Sequence, residues 1–256
     1  MMKETEKTNA TEKPGVTDFG FTQVPEDQKA HQVKEVFNEV AAKYDLMNDL
    51  LSFGLHRIWK HRMIQKAAPQ EGMRILDIAG GTGDITIGMA KYCGGKAEIW
   101  LTDINEEMLK IGRKRRISAG FDGPCAICDA EKLPYQDETF DVITVAFGLR
   151  NMTHKDVALK EMLRVCKPGG KVLVLEFSKP QAWLAPMYDF YSFKFMPWLG
   201  KMIAGSGDDY RYLAESIRMH PNQETLAGIM RDQGFSHVEW TNYNFGITAL
   251  HVGYKA

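Results

Sequence analysis

The chain is poor in several things that would place it in a special class. It has four cysteines in 256 residues, Cys93, Cys125, Cys128 and Cys166. Cys125 and Cys128 form a lone CxxC with no second pair, which is too few thiolates for a four-ligand zinc site. The stretch PCAICDAEKLPY also reads as a strand and its exit, whereas a redox CxxC opens a helix. The four are expected to be ordinary buried or half-buried thiols. His56 and His61 stand five apart and so fall on different sides of a helix; no metal is implied. No apolar run reaches the ~18 residues of a membrane span. The N-terminal MMKETEKTNATEKPGVTDFG lacks the apolar core of a signal peptide and is too acidic for a mitochondrial presequence. The formal net charge is −1, without the basic excess of a nucleic-acid binder. A cytoplasmic globular protein with no nucleic-acid partner is the simplest reading.

What is present is an alternating pattern. Residues 1–27 read as a disordered polar arm, too poor in apolar groups to offset the entropy of ordering. Residues 28–68 look helical, with Val33, Val36, Phe37, Val40 and Ala41 recurring at three and four and a second helix over Leu55 to Ala67. From there short apolar segments (MRILDIAG, AEIWLTDI, CAICDA, FDVITVAFG, KVLVLEFS) alternate with helical ones. The last helix of this series, KDVALKEMLRVCKPGG, is expected to close at its Pro-Gly-Gly. Alternation of this kind implies βαβ units, right-handed crossovers and an open, doubly wound parallel sheet. At the C-terminus, HVEWTNYN and ITALHVGYKA have only Phe245 and Gly246 between them. A parallel crossover needs a dozen residues or more, so these two strands form a hairpin and the sheet ends with one antiparallel strand. The expected fold is therefore α/β and Rossmann-like: seven strands, mostly parallel, with a C-terminal antiparallel hairpin. One domain is expected over 28–256, with N-terminal helices at 28–70. The segment 180–221 is an insertion carrying seven aromatics between Trp183 and Trp198.

The first of these strands ends in ILDIAGGTGDI, a glycine-rich turn flanked by Asp77 and Asp84. A dinucleotide loop reads GxGxxG and presents a helix N-terminus to a pyrophosphate. Here the third glycine is replaced by Thr86, the Walker lysine is missing, and Asp84 would repel a phosphate. Gly80, Gly81, Thr82 and Gly83 suit a ligand that carries positive charge instead. S-adenosylmethionine has an amino group, a sulfonium and a ribose diol, and no phosphate. A ribose partner belongs at the end of the second strand, about twenty residues past the glycines, where Asp103 stands. Asp129, at the exit of the third strand, is placed to reach an adenine amino group. Glycine loop, Asp103 and Asp129 in that order point to a class I methyltransferase. The alternative is that Asp77 and Asp84 cap a helix and Asp103 is a surface acid.

Longer motifs then narrow the reading. FNEVAAKYDLMNDLLSFGLHRIWK, LDIAGGTGD, FGLRNMTHKDVALKEMLRVCKPGG, LEFSKP and YRYLAESIRMHPNQETL resemble those of the ubiquinone/menaquinone biosynthesis C-methyltransferases from about residue 30 to the C-terminus. The resemblance implies methyl transfer from S-adenosylmethionine to a ring carbon of a prenylated quinol, demethylmenaquinol or 2-polyprenyl-6-methoxy-1,4-benzoquinol. It implies cofactor contacts at Thr82, Asp103, Asp129 and Ala130. Where the family often has a serine, just before FGLRN, this chain has Ala146, which leaves only a backbone contact. It also supports a catalytic role for Arg150 and Asn151, which follow the fourth strand, and it carries the expectation of a homodimer. An arginine is always protonated, so Arg150 is assigned to stabilising a phenolate or to orienting a water that takes the proton. The alternative for Arg150 is an ion pair with a surface acid. Tyr188, Tyr210 and His220 are candidates for the substrate side, a lone histidine being more often structural. The aromatic insertion either covers the quinol head or packs as ordinary core. A lipid substrate suggests contact with the membrane surface. RKRR at 113–116 could touch anionic lipid there, although a charge run is more often a solvated helix face. A small-molecule O-methyltransferase, or a non-catalytic cofactor-binding scaffold of a quinone-synthesis complex, would share the cofactor loop.

Overall fold

The computed structural model describes residues 15–40, 48–49, 51–204 and 208–256. The central sheet has the order β5-β4-β3-β6-β7-β9-β8. Its strands are β3 (Arg74–Ile78), β4 (Glu98–Asp103), β5 (Cys125–Ile127), β6 (Phe140–Ala146), β7 (Cys166–Phe177), β8 (His237–Tyr243) and β9 (Thr248–Tyr254). The chain runs outward from β3 to β5, returns to β6 beside β3, and then runs outward the other way. This reversal puts a crevice at the carboxyl ends of β3 and β6, where open α/β sheets take ligands.

The central strands are apolar on both faces, as parallel strands covered by helices must be. Successive residues alternate between two cores. Leu76, Ile143, Val172 and Val174 pack on one side with α5 (Lys155–Val165) and α9 (Gln223–Asp232). Ile75, Val142, Leu173 and Leu175 pack on the other with α2 (Leu55–Ala67) and α3 (Asp84–Tyr92). Between β4 and β5, α4 (Glu106–Ser118) is capped by the Asn105 side chain, which accepts from the Met108 amide, and carries Glu106 and Glu107 in its first turn, where acids suit the helix dipole.

Four details depart from the sequence expectations. The polar arm does not extend over residues 16–25: β1 (Val16–Phe19) and β2 (Thr22–Pro25) pair as a hairpin leading into α1 (Glu26–Val40). Val24 is buried and Phe19 stacks on Tyr212 at 4.2 Å, so a few apolar residues anchor a segment whose composition is polar. Residues 1–14, the rest of the arm, lie outside the described residues, as do 41–47 of the helical reading. The Pro-Gly-Gly does not close α5. That helix stops at Val165, and β7 starts at Cys166, pairing first with Phe140 and next through Lys171 with Val142. The intervening Lys167–Gly170 form a bulge in which Gly169 takes φ 74°. The hairpin at the C-terminus is present, but β9 is inserted between β7 and β8, antiparallel to both. The outer strand β8 is thus parallel to the rest. Last, RKRR is divided: Arg113 and Lys114 are exposed, as on a solvated helix face, and the other two are structural. Arg115 binds the Thr82 carbonyl and Asp84, while buried Arg116 donates to the carbonyls of Ile99 and Pro124.

The insertion is helical: α6 (Ala185–Phe190), a π turn (Tyr191–Phe195), α7 (Met196–Ala204) and α8 (Asp208–Met219). Among the described residues no helix is long and apolar enough to cross a membrane.

Candidate active site

Two cavities meet at the crevice. The first, about 540 Å³, is ringed by the strand ends: Ala79 and Gly81 after β3, Asp103 to Asn105 after β4, Asp129 to Glu131 after β5, and Ala146 to Gly148 after β6. Helix α1 closes it from above with Ala30, Val33, Lys34 and Phe37. Strain marks its rim. Ala79 (φ 51°) and Phe147 (φ 58°) are non-glycine residues in the left-handed region, a conformation that persists where the surrounding structure enforces it and that clusters at functional sites. Gly148 makes this possible, because a Cβ there would lie 2.6 Å from Cβ of Ala79.

The loop is held by Asp103. Its Oδ2 accepts from the Gly81 amide at 2.9 Å and its Oδ1 from the Asn105 amide at 2.8 Å. Burial nevertheless pushes its pKa upward, against the lowering effect of those backbone donors. Gly112 of α4 lets that helix approach, since a Cβ would meet the Gly81 carbonyl at 2.5 Å. Of the cofactor residues expected from the sequence, Gly81, Asp103, Asp129, Ala130 and Ala146 line this cavity. Asp77, Gly80, Thr82 and Gly83 do not; they form the layer behind it. Asp77 is fully buried and accepts from the Thr144 hydroxyl at 2.7 Å. Gly80 leaves room for that carboxyl, as a Cβ would stand 2.6 Å from Asp77 Oδ2. Thr82 is buried and its carbonyl accepts from Arg115. Asp84 also has another role than the one expected. It is paired with Lys60 at 2.8 Å and Arg115 at 2.7 Å, so its charge is compensated and does not repel a phosphate as argued. What disfavours an anionic ligand is the wall itself, where Asp27, Asp103 and Asp129 outnumber Lys34, and where Glu26 and Glu131 pair with His154. An acid-lined, glycine-bedded cavity of this size fits S-adenosylmethionine, a cation with a diol and an adenine.

The second cavity, about 370 Å³, shares Phe37 and Phe147 with the first and is walled mainly by apolar and aromatic side chains. Trp59 and Phe177 stand edge to face at 6.2 Å beneath it. Tyr188 and Tyr210 line it, as expected, and so does Arg150. His220 does not. It is buried behind Arg150, with the cations Lys155 and Lys179 and the imidazole of His251 as neighbours, and burial depresses its pKa well below the ordinary value. It is a neutral core histidine rather than a wall residue.

Arg150 and Asn151 sit on one 3₁₀ turn, Leu149–Asn151, and face different cavities: Arg150 the apolar one, Asn151 the acidic one. Arg150 is held by a buried acid, not a surface one. Its Nη1 donates to Glu176 Oε1 at 2.9 Å and to the Phe147 carbonyl, and its amide donates to Glu176 Oε2. The guanidinium also lies over the Phe177 ring at 5.6 Å. Asn151 Oδ1 accepts from the Tyr212 hydroxyl at 3.1 Å.

Sequence reasoning missed Glu176, Tyr212 and His56. His56, considered earlier only as a metal ligand, lines the apolar cavity. The Ser52 hydroxyl donates to the Asn48 carbonyl at 2.7 Å, so it accepts from His56 Nδ1, 2.7 Å away. That fixes the proton on Nδ1 and leaves Nε2 bare, with Asp49 Oδ1 3.7 Å from it. Burial, ahead of the Lys60 charge, lowers the His56 pKa. The imidazole is thus neutral near pH 7, with a basic nitrogen and, beside it, a carboxylate that also accepts from Arg57. The signal was in the sequence, as Asp49, Ser52 and His56 spaced by three and four, but nothing there said that they meet across the Phe53–Gly54 turn at a cavity.

The fold recurs in solved structures at low identity. A SAM-dependent methyltransferase from Thermotoga maritima aligns with TM-score 0.64 and 19% identity over 87% of this chain and 99% of its own. The [4+2]-cyclase SpnF aligns with TM-score 0.63 and 20% identity over 85% of this chain and 76% of its own. A cyclase and a methyltransferase on one scaffold show that the fold alone does not fix the chemistry. Sequence relatives are much nearer. Ubiquinone/menaquinone biosynthesis C-methyltransferases from Bordetella parapertussis and Laribacter hongkongensis are 58% and 59% identical over 239 residues, 93% of this chain and 93% and 98% of theirs. The family model for ubiE/COQ5 methyltransferases matches residues 23–255, across both cavities and the helices that close them. The chain belongs to the ubiE/COQ5 methyltransferase family.

Proposed function

We propose that the protein methylates a ring carbon of a prenylated quinol, demethylmenaquinol or 2-polyprenyl-6-methoxy-1,4-benzoquinol, with S-adenosylmethionine as methyl donor. One observation carries the reading: an acid-lined cavity and an aromatic one adjoin through Phe37 and Phe147, with Arg150 and Asn151 on the turn between them. The cofactor supplies an electrophilic methyl on a sulfonium. The chain's own residues must hold the ring carbon near it, which can contribute many kcal/mol, and must take a phenolic proton to make that carbon nucleophilic.

The carboxylate of Asp103 receives the ribose diol, while Asp129 and Ala130 meet the adenine and Ala146 offers backbone only. Arg150 stabilises the phenolate. It cannot act as the base, because its proton does not leave. His56 takes the phenolic proton on Nε2, and Asp49 stabilises the imidazolium that forms. Asn151, steadied by Tyr212, orients the two ligands across the shared wall.

Asp103→Ala is expected to weaken S-adenosylmethionine binding roughly 10- to 100-fold by calorimetry, since a hydrogen bond to a charged group contributes about 1.5–3 kcal/mol. Asp103→Asn, which keeps an acceptor for the Gly81 amide, separates loop support from ligand contact. If both variants bind like the parent, Asp103 is not a ligand. His56→Gln is expected to lower kcat by about 100-fold or more, the usual contribution of a positioned base. It should also abolish the acid limb of the pH–kcat/KM profile, which the depressed imidazole places below pH ~6.5. A retained acid limb assigns the base elsewhere. The reading as a whole is tested with methyl-labelled S-adenosylmethionine and the two reduced quinols. Label on a ring carbon supports it, label on oxygen makes the protein an O-methyltransferase, and cofactor binding without transfer makes it a scaffold.

A further inference from the structure

Between residues 185 and 202 the helical run carries apolar side chains on both sides. Its inner side, Tyr188, Tyr191 and Met196, lines the aromatic cavity. On its outer side, among the described residues between 185 and 202, the exposed positions are Met187, Phe190, Lys194, Trp198, Lys201 and Met202, joined by Pro186. The spacing is that of one helical stripe. Phe190 is 68% exposed, Met202 66% and Trp198 56%. A helix hydrophobic all round belongs in a core or under a cover, and this one borders solvent. Two further aromatics extend the face. Phe21, at the tip of the β1–β2 hairpin, stands 5.9 Å from Phe193, and Phe53 stands 6.1 Å from Tyr191.

We propose that this face docks on an anionic phospholipid bilayer, with Phe190, Trp198 and Met202 entering the interfacial layer and Lys194 and Lys201 meeting the head groups. Charge complementarity favours that occupant. Residues 180–204 contain one acid, Asp189, and it is paired with Arg218. The outward charges of the stripe are therefore both cationic. Aromatic and lysine residues on the outer side of an otherwise apolar helix are the composition of interfacial helices. Continuity with the cavity favours it too. Phe53 and Met187 are exposed and also line the cavity, so its rim is part of the same face. At about 370 Å³ the cavity is at the small end of the range of roughly 300–1,000 Å³ that holds drug-sized ligands. It accommodates a ring and the first isoprene units. A longer tail leaves through the Phe53–Met187 rim, where a bilayer would cover it. This last step rests on the quinol reading; the docking itself does not.

Flotation with vesicles of phosphatidylcholine, and of phosphatidylcholine with phosphatidylglycerol, tests it on the full chain. Phe190→Ser/Trp198→Ser/Met202→Ser and Lys194→Glu/Lys201→Glu change the stripe without touching the residues that line either cavity. The parent should float with the phosphatidylglycerol vesicles, and each variant should bind them about tenfold more weakly or less. Both should methylate a short-tailed, soluble quinol at the parental rate and a long-tailed quinol in vesicles more slowly. Failure of the parent to float at low salt, or equal flotation of the triple serine variant, overturns the proposal. So does a parent that sediments as a dimer which the triple variant splits while flotation is unchanged, because a second copy is then the cover. Flotation as expected with no methylation of either quinol upholds docking and removes the substrate reading.

Discussion

Arg150→Ala is expected to lower kcat for quinol methylation by roughly 10²–10³-fold, the usual cost of removing one donor that stabilises a developing oxyanion, while S-adenosylmethionine affinity stays unchanged. The separation follows from position: Arg150 lines the aromatic cavity and not the acidic one. Loss of both properties together would reject its assignment to the phenolate. The single variant carries a cost in stability, because Glu176, 1% exposed, loses the guanidinium that compensates it. Breaking a buried ion pair from one side costs about 3–5 kcal/mol. Arg150→Ala/Glu176→Gln leaves no stranded charge, so it should recover stability, bind cofactor and remain inactive. Glu176→Gln alone keeps the arginine but not its charge partner. It is expected to raise KM or lower kcat by less than Arg150→Ala does, as befits a positioning residue. Arg150→Lys should stay impaired, since an ammonium cannot reproduce the planar fork that reaches the Phe147 carbonyl and Glu176 while lying over Phe177. Single-turnover rates and calorimetry on the four variants decide the matter.

Replacing Asp77 by Asn should reshape the dependence of stability on pH. Burial pushes this carboxyl up to about 7, against the Thr144 hydroxyl bond that lowers it. In the unfolded chain it titrates near 3.9. Between those values the folded state holds a proton that the unfolded state has lost, so Asp77 makes stability fall as pH rises, at about 1.4 kcal/mol per pH unit. Its favourable contribution is full below ~4 and gone above the folded value near 7. Asn is neutral throughout. Relative to the parent, Asp77→Asn should therefore gain about 3 kcal/mol between pH 5 and pH 8. His220 and His251 act with the opposite sign: burial depresses both, His251 to about 4, so they make stability fall on acidification. They are common to both proteins and cancel in the difference. Urea unfolding at pH 5, 6, 7 and 8 measures it. Parallel curves would mean that Asp77 is ionised in the fold and that the layer behind the glycine loop is held by a charge.

Each property of the site was legible to a different depth. The five strands with their glycine turn and two following acids announced the parallel sheet and the acids at its strand ends, because parallel strands and strand-end acids are written in local pattern. Asp103 fell where expected, and Gly81 with it, because the distance from loop to second strand end is fixed by one helix. The family motifs likewise singled out Arg150 and Asn151, which lie on one turn where the two cavities adjoin. What pattern could not give was which side of a residue faces a cavity. Thr82 lies in the glycine loop yet is buried outside the acid-lined cavity. Asp84 is adjacent to it yet is neutralised by Lys60 and Arg115 from two other helices. His220, in a motif shared with the family, faces the core, while His56, set aside as one of a non-chelating pair, faces the aromatic cavity.

By itself, the sequence determined the α/β class, the alternation that builds the sheet, the glycine loop with Asp103 and Asp129 at the following strand ends, and the kinship. These depend on periodicity, spacing and composition, which are local. Only the tertiary structure decided that Glu176 is the acid under Arg150, that Tyr212 steadies Asn151, and that β9 enters the sheet between β7 and β8. It alone decided that the outer stripe of residues 185–202 meets solvent. Each of these joins segments distant in the chain, and only packing assigns a side chain to a core, a cavity or a surface.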